Sequence, residues 1–259
     1  MTEHSGFAPM LARLLNHREL RVEALADRAG AAADEIRRVL AGEAPGEGLI
    51  RRLAPALGFH ALDLFILAGS AVPDDMAPVD ATAEQWVWQA VIEGVHLPAM
   101  ERQELLRLIR SLPQAERTPG PAPKHLPHLA DGPGARLVSM LRYRNLSRTG
   151  MAHTLAVVTP TYLSAATYGV IGAGRADLTP RLVTDFAALL GVDARALAAL
   201  TDVVLPEVPP PPAPEAQDAA ALLWEACRLS AEQARHVHAL AYSMRGRSRD
   251  VYRLDLPAS

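Results

Sequence analysis

Apolar residues along the chain recur three and four positions apart, the spacing that gathers them on one face of an α-helix. Leu- and Ala-rich stretches with this period run through most of the 259 residues, and long strand-like alternation is hard to find. The pattern predicts an all-α protein. Within it one arrangement occurs twice, at 22–39 and again 126 residues later at 148–165. In the first copy Leu25, Ala26, Ile36 and Val39 mark the facing sides of two short helices, with Ala26 small because the second helix crosses close above it. Gly30 falls at the turn, where a left-handed backbone is cheapest without a Cβ. In the second copy Met151, Ala152, Leu155, Ala156, Tyr162 and Ala165 take the same steps, with Ala156 in the place of the glycine. Tyr162 and Ala165 are accordingly expected to be buried.

The flanks repeat as well. GAAADEIRRVLAGE runs into GEGLIRRLAPALGFHALDLFILAG, and VTPTYLSAATYG is followed by DLTPRLVTDFAALLGVDARALAALTD. Each passes from one helix through a loop to an amphipathic helix ending in Leu-Gly, then to a short apolar helix. With TPTYLS and ALGFHALDLF as its most specific strings, the chain resembles the Cro/phage-repressor (Xre) type of helix-turn-helix domain over about residues 10–69 and 135–201. That resemblance implies two tandem lambda-repressor-like five-helix modules, sequence-specific binding of double-stranded DNA, and transcriptional regulation. Both copies lack the glutamine common early in the second and third helices of the family; Glu23 and Gly150 stand near one such place.

Around these modules the chain divides into segments. Domain 1 covers 7–69 and is followed by a helical appendix at 70–116. A Pro/Gly-rich linker at 117–134 leads to domain 2 at 135–201. A Pro-rich spacer at 202–217, a second appendix at 218–246 and a basic tail at 247–259 complete it. Each appendix reads as two helices, and Ser230 with Gln233 has the form of a capping box. The second copy carries about seven extra residues around VIGAGRADL, and GVIGAG (169–174) is read as its enlarged loop because it follows a helix rather than a strand. Trp86 and Trp88 point to different faces of one helix. The appendices are the candidates for homodimerisation, since tryptophan is enriched at interfaces.

Charge sharpens the picture. The net charge of −3 argues against a nonspecific DNA coat, but 135–191 holds six arginines against two acids, and 245–253 four against one. Segment 11–58 has eight arginines against seven acids. A recognition helix presents to bases its N-terminal residues and the face opposite its buried stripe. In the second copy that face holds Thr159, Thr161, Ser164 and Thr167, with Thr159 as an N-cap before Pro160. Arg142, Arg144 and Arg148 precede it as phosphate anchors. In the first copy Arg37 and Arg38 can grip guanine, while Asp34 and Glu35 repel phosphate. These features favour the second module as the main reader. The same acids favour a reading of another class, an interaction scaffold that keeps the fold without reading DNA.

Nothing in the chain supports an enzyme, a metal or a cofactor. His236 and His238 diverge on one helix, and Cys/His spacing of the zinc type is missing. No apolar run is long enough to span a bilayer, and MTEHSGFAPM lacks the basic-then-apolar order of a secretory signal. The single cysteine, Cys227, fits a reducing cytoplasm.

Overall fold

The computed structural model describes residues 6–76, 79–116, 132–205, 209 and 211–254, with side chains as far as Arg247. Fourteen α-helices occur among them and no strand, so the chain is all-α. In chain order they are α1 (Phe7–His17), α2 (Val22–Ala29), α3 (Ala33–Leu40), α4 (Glu47–Ala56), α5 (Ala61–Ala68), α6 (Glu84–Val95), α7 (Ala99–Ser111), α8 (Pro133–Tyr143), α9 (Arg148–Val158), α10 (Ala165–Gly172), α11 (Pro180–Leu190), α12 (Ala194–Thr201), α13 (Pro214–Ala226) and α14 (Ala231–Leu254). No helix of the described residues is long and apolar enough to cross a membrane.

The chain forms two compact units that do not follow the expected linear order. One takes Met1–Met76, His125–Met140 and Thr167–Pro212; the other takes Ala77–Lys124, Leu141–Ala166 and Ala213–Ser259. The segment 135–201, expected as one second module, is thus divided between them. Of the linker at 117–134 only 132–134 is described, and the side chains of the basic tail lie outside the described residues beyond Arg247.

In the first unit α1 to α5 succeed one another with short connections. Leu11, Leu14, Leu25, Ile36, Ile50, Leu53, Leu64 and Phe65 form a solvent-excluded core. The turn between α2 and α3 is three residues long, and Gly30 takes the left-handed conformation there at φ 58°. α1 also packs on α12. Two arginines close helix ends in this unit. Arg13 donates to the carbonyls of Ala199 and Leu200 at 2.8 and 3.2 Å, and Arg136 of α8 to that of Leu67 at 2.9 Å. Such carbonyls have no partner within their own helix. Tyr168 of α10 packs obliquely on Phe186, 6.2 Å between centroids, and its buried hydroxyl has no hydrogen-bond partner among the described residues. Burial, with Asp185 nearby, pushes that phenol up to about 12.

In the second unit α6 is the central element, packing on α7, α9, α13 and α14. Val87, Ala90, Val91 and Gly94 lie on its buried sides. Trp86 approaches His238 of α14, and Trp88 stacks on His153 of α9. The two tryptophans do face different neighbours, and both are half-buried within this unit. The reciprocal Ser230–Gln233 bonds form at 3.1 and 3.3 Å. Arg228 closes the end of α7, donating to the carbonyls of Ile109 and Leu112 at 2.5 and 3.0 Å.

The second copy is built differently from the first between its second and third helices. Where Gly30 breaks α2 from α3, Ala156 is a good helix former, and α9 continues through it to Val158. α10 begins only at Ala165, so 159–164 is a loop. GVIGAG is not the loop expected of it: α10 runs through to Gly172. Its small residues permit a close approach, since a Cβ at Gly172 would lie 3.1 Å from Val138 Cγ1.

Candidate nucleic-acid interface

The pair α2–α3 is positioned by its buried stripe. Leu25, Ala26 and Ala29 on α2 and Ile36 and Val39 on α3 are buried. Because Ile36 and Val39 turn inward, Asp34, Arg37 and Arg38 face solvent on the opposite side of α3. Ala32 N donates to Glu35 Oε2 at 3.2 Å, which satisfies one free amide at the start of α3.

The guanidinium of Arg37 is held from two sides. Its Nη1 meets Asp34 Oδ1 at 2.5 Å and its Nη2 meets Glu23 Oε1, from α2, at 2.6 Å. The hydrogen bonds it donates to Glu23 and then to Asp34 raise its pKa further. Backbone hydrogen bonding and then Arg37 hold the Glu23 carboxyl below its usual range. Arg38 is exposed and only loosely paired with Glu43, at 3.7 Å. Beside it an open cleft of about 280 Å³ lies between α3 and the start of α4, lined by Glu35, Arg38, Val39, Glu43, Leu49 and Arg52 among others. Arg52 is paired with Glu35 at 3.1 Å.

Two cations not singled out from the sequence belong to this surface. Arg21 and Arg28 are exposed and make no ion pair among the described residues. Arg21 is the N-cap of α2 and Arg28 lies in its last turn; two arginines flanking the first helix of the pair are the signal the sequence offers for them.

The residues expected to read DNA from the second copy are placed otherwise. Thr159 is not an N-cap but the C-cap of α9, in extended conformation. A residue preceding proline is driven out of the helical region, so Pro160 ends the helix behind it instead of opening the next. The Thr159 hydroxyl donates back to Leu155 O at 2.7 Å and accepts from Thr161 N at 3.2 Å. Thr161 is buried, Thr167 half-buried and Ser164 exposed. Tyr162, expected in the core, is 89% exposed because no recognition helix forms to turn it inward. Arg37, Arg38 and Thr167 belong to the first unit and the other six candidates to the second.

The arginines of that segment are largely used internally. Arg144 is 1% exposed, its guanidinium carbon 4.5 Å from the centre of the Trp224 ring, so it is not a phosphate anchor. Arg142 pairs with Glu84 at 3.1 Å, both side chains largely covered. Burial pushes the Glu84 carboxyl up, Arg142 pulls it back and Asp80 raises it. Arg136 and Arg181 are engaged with Leu67 O and Asp185 respectively. Arg148 and Arg175 remain exposed without an ion pair among the described residues.

Comparison with family models, curated proteins and solved structures finds no match to this chain.

Proposed function

We propose that the chain binds double-stranded DNA sequence-specifically through α3 of the first copy, as a cytoplasmic transcriptional regulator of the Cro/phage-repressor type. The observation that carries this reading is the pair α2–α3. A glycine turn and a buried stripe leave Asp34, Arg37 and Arg38 together on the free face of α3. A second helix of such a pair enters the major groove while the first crosses the phosphate backbone. Arg37 and Arg38 are then base readers, and Arg21 and Arg28 are phosphate anchors on α2. The second copy serves as scaffold in this reading, since α9 is sheathed by α6 and no helix stands at 159–164.

Magnitudes decide between the competing electrostatic effects. Exposed ion pairs contribute little to stability, whereas a bidentate bond from arginine to a guanine edge discriminates strongly between bases. Asp34 and Glu23 therefore do not lock Arg37 away from DNA.

A second reading, an interaction scaffold that does not read DNA, is favoured by one observation: two carboxylates surround the single guanidinium of Arg37. Selection of binding sites from random DNA with the whole chain separates the two. The regulator enriches a motif, and R37A and R38A each erase part of it. A folded chain that enriches none is a scaffold.

A further inference from the structure

We infer that Glu23 is a specificity-determining residue, one that presents Arg37 to guanine and turns it away from phosphate. This rests on the reading of α3 as the base-reading helix. Glu23 comes from α2 and Asp34 from α3, and each bonds a different terminal nitrogen of Arg37. The guanidinium is thus bracketed by groups on two helices whose relative position is set by the buried Leu25, Ala26, Ile36 and Val39. Each terminal nitrogen still carries a second N–H, and Nε a fifth donor.

Two consequences follow from charge and geometry. Two short contacts bias the rotamers of Arg37 even where they add little stability, so contact with a base costs less ordering. The trio of Glu23, Asp34 and Arg37 carries a formal net charge of −1, which opposes a phosphate on any sequence. A guanine edge instead offers two neutral acceptors, O6 and N7. Specific contact is retained and random contact is suppressed. With glutamine in place of Glu23 the trio is formally neutral, and a weaker neutral acceptor beside Asp34 leaves Arg37 freer to meet a phosphate without net repulsion. Glu23 does not itself need to touch the base, and it acts through Arg37.

Site selection followed by competition binding across a salt series tests this with the wild-type chain, E23Q and R37A. The wild type should enrich a motif containing a guanine whose replacement costs about tenfold in affinity, and R37A should lose that one preference. E23Q should bind random DNA severalfold more tightly, with a salt slope steeper by about 0.9, while its guanine preference falls towards none. A melting curve and helical spectrum of E23Q matching those of the wild type exclude unfolding as the source of the gain. If E23Q keeps the guanine preference and the wild-type salt slope, Glu23 has no such role although α3 still reads DNA. If R37A keeps the preference, Arg37 is not what Glu23 presents. If the wild type enriches no motif, the regulator reading and this inference fall together.

Discussion

Trp88 of α6 lies face to face with His153 of α9, ring centroids 4.9 Å apart and planes 9° from parallel. The stack sits over Gly150, one turn before His153, where an added Cβ would come within 2.8 Å of Trp88 Cδ1 and 3.1 Å of Cγ. G150A therefore has to displace a rigid ring. The expected cost is about 1–3 kcal/mol of overpacking, read by urea unfolding, with a change in tryptophan emission in the folded state. An unchanged midpoint and spectrum would show that α6 does not press on α9 at this point.

Tyr168 offers a test in alkali. Burial, with Asp185 nearby, raises its folded pKa to about 12 from an ordinary 10. The neutral phenol is the form the fold holds, so this contribution is complete below pH 10 and is lost as pH rises through about 12. Y168F should remove that part of the alkaline loss. At neutral pH it should be neutral or stabilising by about 1 kcal/mol, because it deletes a buried hydroxyl without a partner. Thermal melts at about pH 7, 10 and 11.5 compare the two proteins.

Arginines of equal formal charge should separate into two kinds. R21A and R28A are each expected to reduce the salt slope of DNA binding by about 0.9 and to leave the melting temperature nearly unchanged. R144A should do the reverse, costing about 2–4 kcal/mol by emptying the space against Trp224. Measuring binding across a salt series beside a denaturation curve assigns each residue to one kind.

Gly30 has open space beside it: a methyl group added to its Cα would meet nothing within 4 Å. G30A thus meets no steric resistance from neighbours and tests backbone strain alone, at φ 58°. A loss of about 1 kcal/mol is expected, and G30N should lose less because asparagine tolerates the left-handed region. Equal stabilities of all three proteins would show that this turn carries no conformational demand.

Helix period, the apolar stripe and Gly30 make α1–α5 legible in the sequence, because each of those signals is local. The second copy misleads where one residue admits two local roles. Thr159 before Pro160 has the form of a helix start, yet the same pair also stops a preceding helix, and Ala156 lets α9 run on to meet it. Charge is the least legible property. A sequence count cannot tell that Arg142 faces Glu84, or that Arg144 lies against Trp224, since those partners are 58 and 80 positions away. Arg37 and Glu23 are visible as residues, but their pairing depends on how α2 and α3 cross.

The guanidinium plugs at the ends of α5 and α12 bear on how this chain can be handled and how it can evolve. α5 ends against Arg136, which lies beyond the Pro/Gly-rich linker, and α12 ends against Arg13, near the start of the chain. A fragment cut after residue 69 would keep all of α1–α5 yet leave the Leu67 carbonyl open and strip α12 from α1. Lysine could not restore the plug at Arg13, where Nε and Nη2 reach two carbonyls at once as a planar fork. What began in the sequence as two repeated passages has become an interdependent pair, in which neither passage can be lost, exchanged or transplanted without unsealing the other.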